Sequence, residues 1–234
     1  MAGETIRSEA ICLSIHPWSR TSHVVSWLTP RGRVGTVVKG AVRPKSFFLG
    51  QYDLNYTCDV LYYARVRGEL HALRECAPSN RRDALRDDFR ALALAGHFRR
   101  LAFDYAPAGE ECAAWYGRLE AALDALARHA ASAAAGRAPK LVASWRLAQL
   151  LRFELDVLHL LGLSPEIEAE AGLFRLRGER AIPVSDAVAA YLRRPTVDEA
   201  SLAVAQDAAR VLGVFYQFHL DASLDARRAV LSLL

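Results

Sequence analysis

The stretch Thr21-Ser-His-Val-Val-Ser-Trp-Leu-Thr-Pro-Arg-Gly-Arg-Val-Gly-Thr-Val-Val-Lys39 decides the fold class. Thr21 to Leu28 and Arg33 to Lys39 are rich in β-branched residues and alternate in polarity, as half-buried strands do. Between them, Thr29-Pro30-Arg31-Gly32 has the composition of a turn: proline presets one backbone angle and glycine accepts a left-handed one. Working outward, Ile6 to Ile15, Tyr52 to Tyr63 and Glu69 to Glu75 read as further strands. His16-Pro17, the Gly40 to Gly50 loop and Arg67-Gly68 separate them. Five short strands at this spacing fit a small closed or nearly closed barrel of the OB type. An SH3-like barrel or a small sandwich gives a similar strand count.

Near Pro78 the period changes. Arg81 to Phe103 places Leu85, Phe89, Leu92 and Phe103 at helical spacing, with Ser79 or Asn80 as the cap. Glu110 to Ala135 is alanine-rich and ends before Gly136. Pro139 to Leu161 predicts a helix apolar on nearly every side, which belongs at the centre of a bundle, with Gly162 as its C-terminal cap. A short hairpin is expected over 173–184, and helices over Ser185 to Leu192, Asp198 to Leu220 and Ser223 to Leu233. The expected class is therefore α+β: a five-stranded OB-type barrel over residues 1–77, then a mostly α-helical domain over 78–234.

Composition narrows the function. The 234 residues are 52% hydrophobic and 24% charged, enough to build a core, and no apolar run has the length of a membrane span. Met1 to Arg7 is polar, with no signal-peptide core behind it, so the protein is expected to stay in the cytoplasm and not to meet a membrane. Cys12, Cys58, Cys76 and Cys112 are scattered and read as reduced, buried, small apolar residues. Residues 1–77 hold ten of the 30 Lys/Arg and six of the 26 Asp/Glu, and the remaining twenty of each cancel. The whole net charge of +4 therefore sits in the first third of the chain, where an anion would be met. Only three of the basic residues are lysines, a bias that reflects base composition of the genome as readily as recognition.

Catalytic patterns are missing. Lys39-Gly40 follows Gly35 in the reverse of the order a phosphate-binding P-loop requires. The seven histidines show no zinc-binding spacing, and there is no nucleophile elbow. Glu110 and Glu111 fall where a helix begins and complement its dipole. No enzyme activity, metal or cofactor is expected. The informative stretch is Arg31 to Ser46, which carries Arg31, Arg33, Lys39, Arg43 and Lys45 on one strand and the loop after it. Cations at exposed positions contact phosphates, and nearby aromatic rings (Phe47, Phe48, Tyr52, Tyr56, Tyr62, Tyr63) can stack on bases. The same rings can instead fill the barrel, and the charges can simply be solvated. The basic pairs Arg81-Arg82, Arg99-Arg100, Arg193-Arg194 and Arg227-Arg228 read as solvated helix faces with acidic neighbours.

Pro17-Trp18-Ser19-x-Thr21-Ser22, Leu28-Thr29, Gly32-Arg33-Val34 and Val38-Lys39-Gly40-Ala41 together resemble the opening of RecO proteins, with Arg43, Lys45 and Ser46 matching the rest of that family's basic loop. Leu151-Arg152-Phe153-Glu154-Leu155, followed by Leu161-Gly162, is similar to the family's central helix. The resemblance implies an N-terminal OB-fold, a helical C-terminal domain, and binding of single- and double-stranded DNA with annealing of complementary strands. It implies RecR and the single-strand-binding protein as partners, and a role in loading recombinase during DNA repair. It also implies Arg33, Lys39, Arg43 and Lys45, with Arg31, as DNA contacts. Some members carry a four-cysteine zinc site after the central helix. Ser164 to Val184 contains no cysteine here, so no zinc is expected. Two other readings are open: a single-stranded nucleic-acid-binding OB protein, or a protein-interaction adaptor, neither with mediator activity.

Overall fold

The computed structural model describes residues 4–65, 70–107, 112–136, 142–168, 172–177, 180–195, 197, 201–220 and 225–234. They form an N-terminal closed five-stranded barrel of OB type followed by a mostly helical region, an α+β architecture. Two compact units divide the chain, one of residues 1–85 with 98–127 and one of 86–97 with 128–234.

In the first unit the strands are β1 (Thr5–Ser19), β2 (Ser22–Thr29), β3 (Gly32–Val38), β4 (Thr57–Tyr63) and β5 (Leu70–Asn80). Their order around the barrel is β1-β2-β3-β5-β4. Closure depends on the length of β1. Its first half, Thr5 to Ile11, pairs with β4, and its second half, Ile11 to Ser19, pairs with β2. All pairings are antiparallel except β3 with β5, which run parallel over Gly35 to Val37. Closing the sheet leaves no edge for a foreign strand to join. Alternate residues of each strand point inward, and Ala10, Cys12, Val25, Trp27, Val38, Cys58, Val60, Tyr62 and Leu73 fill the interior. The indole N–H of Trp27 donates to Thr36 Oγ1 at 2.9 Å, which satisfies the one polar group of a fully buried ring.

Three strand boundaries differ from the sequence reading. β1 continues through His16-Pro17, read as a turn, and ends at Ser19, because those residues still pair with β2. β4 begins at Thr57 instead of Tyr52, because 46–51 form successive turns (Leu49 N to Ser46 O, Gln51 N to Phe48 O) before the strand starts. β5 runs through Pro78 to Asn80, so the change of texture at Pro78 falls inside a strand. Pro78 stands opposite Cys58 next to an irregularity in the β4 register, a place that tolerates a missing N–H.

The helices are α1 (Phe89–Tyr105), α2 (Cys112–Ala134), α3 (Val142–Leu160), α4 (Asp186–Arg193), α5 (Ser201–Leu220) and α6 (Asp225–Leu231). α1 starts later than its pattern suggests. Arg82 adopts a left-handed backbone, φ 52°, a short 3-10 turn spans Asp83–Asp87, and Asp88, not Ser79 or Asn80, accepts from the N–H groups of Arg90 and Ala91. Its buried stripe is also not the expected one. Ala91, Leu94, Ala95, Phe98, Leu101 and Ala102 are buried, while Phe89 and Leu92 are exposed. Leu94, Phe98 and Leu101 share the inward face with three alanines, so this face lies off the Phe89 and Leu92 line that the sequence pattern suggests. α3 fits its central role, with Leu147, Leu150, Leu151, Phe153, Val157 and Leu158 all buried. Gly162, at φ 70°, ends it, and Leu163 N donates back to Leu158 O at 2.8 Å.

The expected hairpin is present as β7 (Leu173–Arg177) and β8 (Arg180–Pro183), joined by a further short strand β6 (Ile167–Glu168) that the sequence reading missed. The turn residues Gly178 and Glu179, like Arg67-Gly68, Glu110-Glu111 and Pro139, lie outside the described residues.

The basic pairs are not uniformly solvated. Arg82 is buried, donating to Asp124 Oδ1 at 2.6 Å, Asn55 O at 2.8 Å and Thr57 Oγ1 at 3.0 Å. Arg99 is partly buried and donates to the carbonyl of Leu13, and burial lowers its pKa. Arg227 is buried against Glu154. Arginine suits such sites because its planar fork meets several acceptors at once. The exposed members Arg81, Arg100 and Arg228 keep surface carboxylates, Asp83, Asp104 and Asp225.

Candidate nucleic-acid interface

The turn between β1 and β2 and the loop that leaves β3 face each other across a cleft of about 390 Å³. Trp18, Ser19 and Ser22 line one side, Lys39, Gly40 and Arg43 the other, with Val37 at the base. Sequence builds this arrangement locally. Gly40 takes φ 67°, a left-handed angle that turns the chain sharply after β3. Its N–H donates to Ser22 Oγ at 3.2 Å, and the N–H of Val42 donates to Thr21 O at 3.3 Å. These two bonds tie the loop to the start of β2, and the buried side chain of Ala41 anchors it. Two further turns follow, with Arg43 N donating to Gly40 O and Ser46 N to Arg43 O. A Cβ at position 40 would lie 3.3 Å from Arg43 Cδ, so the absence of a side chain there lets Arg43 lie back across the turn.

The five cations singled out in the sequence fall into two groups. Lys39 and Arg43 meet in the cleft, and Lys45 is exposed on the turn that follows. Arg31 and Arg33 sit at the opposite end of β3, roughly 20 Å from Lys39 at the rise of an extended strand. Arg33 donates to the carbonyl of Phe103 at 2.6 Å, with its guanidinium 6.0 Å from that ring. Among the described residues, none of Lys39, Arg43 and Lys45 has a carboxylate within ion-pair distance. They are therefore unneutralised positive charges facing solvent, the electrostatic condition for holding a polyanion.

The aromatic candidates separate just as clearly. Tyr56 and Tyr62 are buried. Phe48 and Tyr52 pack against the barrel core. Tyr52 makes an edge contact with Trp27 and shares a 2.8 Å hydrogen bond with His23 Nδ1, and burial pushes its phenol pKa upward. These four rings fill the barrel. Tyr63 is partly exposed beneath Arg74, and Phe47 is open to solvent, two residues beyond Lys45. Trp18, which the sequence reading did not count among the stacking candidates, is 61% exposed and lies in the cleft itself. The signal was its place between Pro17 and Ser19 at the mouth of a turn, where no inward-facing position is available.

The remaining reactive groups are structural. All four cysteines are free. Burial pushes the Cys12 thiol up, and a hydrogen bond with Cys58, together with burial, does the same for Cys76, so neither is a nucleophile at neutral pH. Among the described residues, no group of three or more His, Cys, Asp or Glu side chains is arranged to hold a metal ion. No helix among them is long and apolar enough to cross a membrane. No protein-family model matches the chain, and no curated protein matches it.

Proposed function

We propose that the barrel binds DNA through its phosphate backbone and that the protein acts as a strand-annealing mediator in DNA repair and recombination. The observation that carries this reading is the convergence of Lys39 and Arg43 on one cleft beside an exposed tryptophan, without carboxylate partners among the described residues. A cleft of this kind favours a ligand that offers phosphates and flat bases together. Lys45 extends the track along the loop. Arg31 and Arg33, at the far end of β3, are assigned a lesser share, because Arg33 already serves the carbonyl of Phe103.

The mechanism is electrostatic. Cations that neutralise phosphates on two strands reduce the repulsion between them, and base pairing then proceeds with no bond made or broken by the protein. The resemblance of 17–46 and of the central helix to RecO proteins supports the mediator role, and with it RecR and the single-strand-binding protein as partners. The test is the double variant Lys39→Glu/Arg43→Glu, assayed for single-stranded DNA affinity at low salt and for annealing of complementary oligonucleotides. The reading predicts a loss of roughly tenfold or more in affinity, with annealing slowed in parallel. Unchanged affinity removes the site. Normal binding without any annealing by the wild-type protein reduces the function to single-strand binding.

A further inference from the structure

We infer that Trp18 is a stacking platform for one unpaired base, so that the cleft selects single-stranded over duplex DNA. This rests on the DNA-binding reading above and names the part of the ligand that enters the cleft.

Trp18 is the bulged residue of β1. Pro17 stands opposite His23 and Ser19 opposite Ser22, which leaves Trp18 with no cross-strand partner. An extra residue in one strand of an antiparallel pair bends that strand and re-aims its side chain. The bulge falls in the exposed end of β1, where His16 to Ser19 all face solvent, and its unpaired ring lines the cleft. The other three tryptophans are committed to structure: Trp27 and Trp115 are buried, and Trp145 stacks on His129 with ring centroids 3.9 Å apart. Of the four, Trp18 alone is mostly exposed, and it lines the cleft together with the two cations.

A ligand for this site needs a flat π surface with negative charge close to it. One nucleotide unit of a single strand has that form: the base stacks on the ring, and its flanking phosphates reach Lys39 and Arg43. In a duplex each base face is covered by its neighbours, and exposing one requires unstacking and unpairing. Phosphate contacts alone do not distinguish the two forms of DNA; a ring that needs a free base face does.

The experiment follows the intrinsic fluorescence of the full-length protein during titration with an oligo-dT strand and with a blunt duplex. It is paired with anisotropy measurements on Trp18→Ala, Trp18→Phe and Lys39→Glu/Arg43→Glu. The dT strand should quench the wild-type emission, and that quenching should vanish in Trp18→Phe, which still binds. Trp18→Ala should lose roughly tenfold in affinity for dT. Its duplex affinity and the salt dependence of its binding should stay as in the wild type, because a ring releases no counterions. Unquenched emission at saturating dT overturns the inference, as does equal weakening of dT and duplex binding in Trp18→Ala, or no weakening of either. If this happens while Lys39→Glu/Arg43→Glu still abolishes binding, the DNA reading stands and only the stacking role falls. If the double glutamate variant binds normally, the DNA reading falls, and the inference falls with it.

Discussion

Arg227 holds the carboxylate of Glu154 with two parallel hydrogen bonds of 2.8 Å, Nε to Oε1 and Nη2 to Oε2, in the interior of the second unit. His97 Nε2 lies 3.0 Å from the same Oε1, and the hydroxyl of Tyr216 donates to the Glu154 carbonyl at 2.7 Å. One glutamate on α3 thus joins α1, α5 and α6. Burial alone raises the pKa of this carboxyl, but the Arg227 charge and the hydrogen bonds from His97 and Arg227 outweigh burial and hold it below its ordinary value of 4.5.

Glu154→Gln should therefore cost about 3 kcal/mol or more at neutral pH, because it leaves Arg227 buried without its counter-charge. The pH dependence has a definite sign. A carboxyl with a depressed folded-state pKa contributes stability that is fully present above its unfolded value of 4.5 and is lost as pH falls through the lower folded value. Urea unfolding midpoints of the wild type should fall on acidification below 4.5, and the glutamine variant should show a flatter acid limb. Parallel acid limbs would contradict this.

Gly213 of α5 tests the same pair from the other side. A Cβ there would come within 2.7 Å of Arg227 Nη1, an atom that Glu154 prevents from moving away. By helix propensity alone, Gly→Ala in a helix interior stabilises by about 1 kcal/mol. Gly213→Ala should do the opposite and lower the unfolding midpoint. A stabilised variant would show that Arg227 is free to move.

Within the barrel, Thr36→Val keeps the shape of the side chain and removes the acceptor for Trp27 Nε1. A buried N–H left unpaired costs about 1–3 kcal/mol. Equilibrium unfolding should show a loss in that range, with DNA affinity of the folded protein unchanged, since Thr36 is fully buried and does not line the cleft.

The barrel was legible because its signals are local: β-branched alternation in Thr21 to Lys39, a Thr-Pro-Arg-Gly turn, and a glycine where β3 must turn. The same holds for the ends of α2 and α3, where Gly136 and Gly162 take positive φ. What was not legible depends on distant partners. Arg82, Arg99 and Arg227 look like surface residues until Asp124, the Leu13 carbonyl and Glu154 arrive from 42, 86 and 73 positions away. The inward face of α1 was missed because Phe89 and Leu92 supply an apolar line of their own beside the buried one, in which Leu94, Phe98 and Leu101 are interspersed with alanines. Of the candidate site, the sequence placed Arg33 and Lys39 at the two ends of one strand and Arg43 and Lys45 on the loop after it. It could not show that Lys39 and Arg43 meet in one cleft with Trp18, nor that Arg33 is engaged by the carbonyl of Phe103. Nor does any composition rule reveal the bulge at Trp18, whose one local signal was its place beside a turn.

The salt dependence of single-stranded DNA binding tests the central claim most directly. Each phosphate that the protein no longer neutralises should reduce the slope of log affinity against log salt by about 0.7, so removing both cationic groups in Lys39→Ala/Arg43→Ala should flatten the wild-type slope by roughly 1.4. A slope equal to that of the wild type would mean that these two side chains touch no phosphate, and the cleft would not be the DNA site.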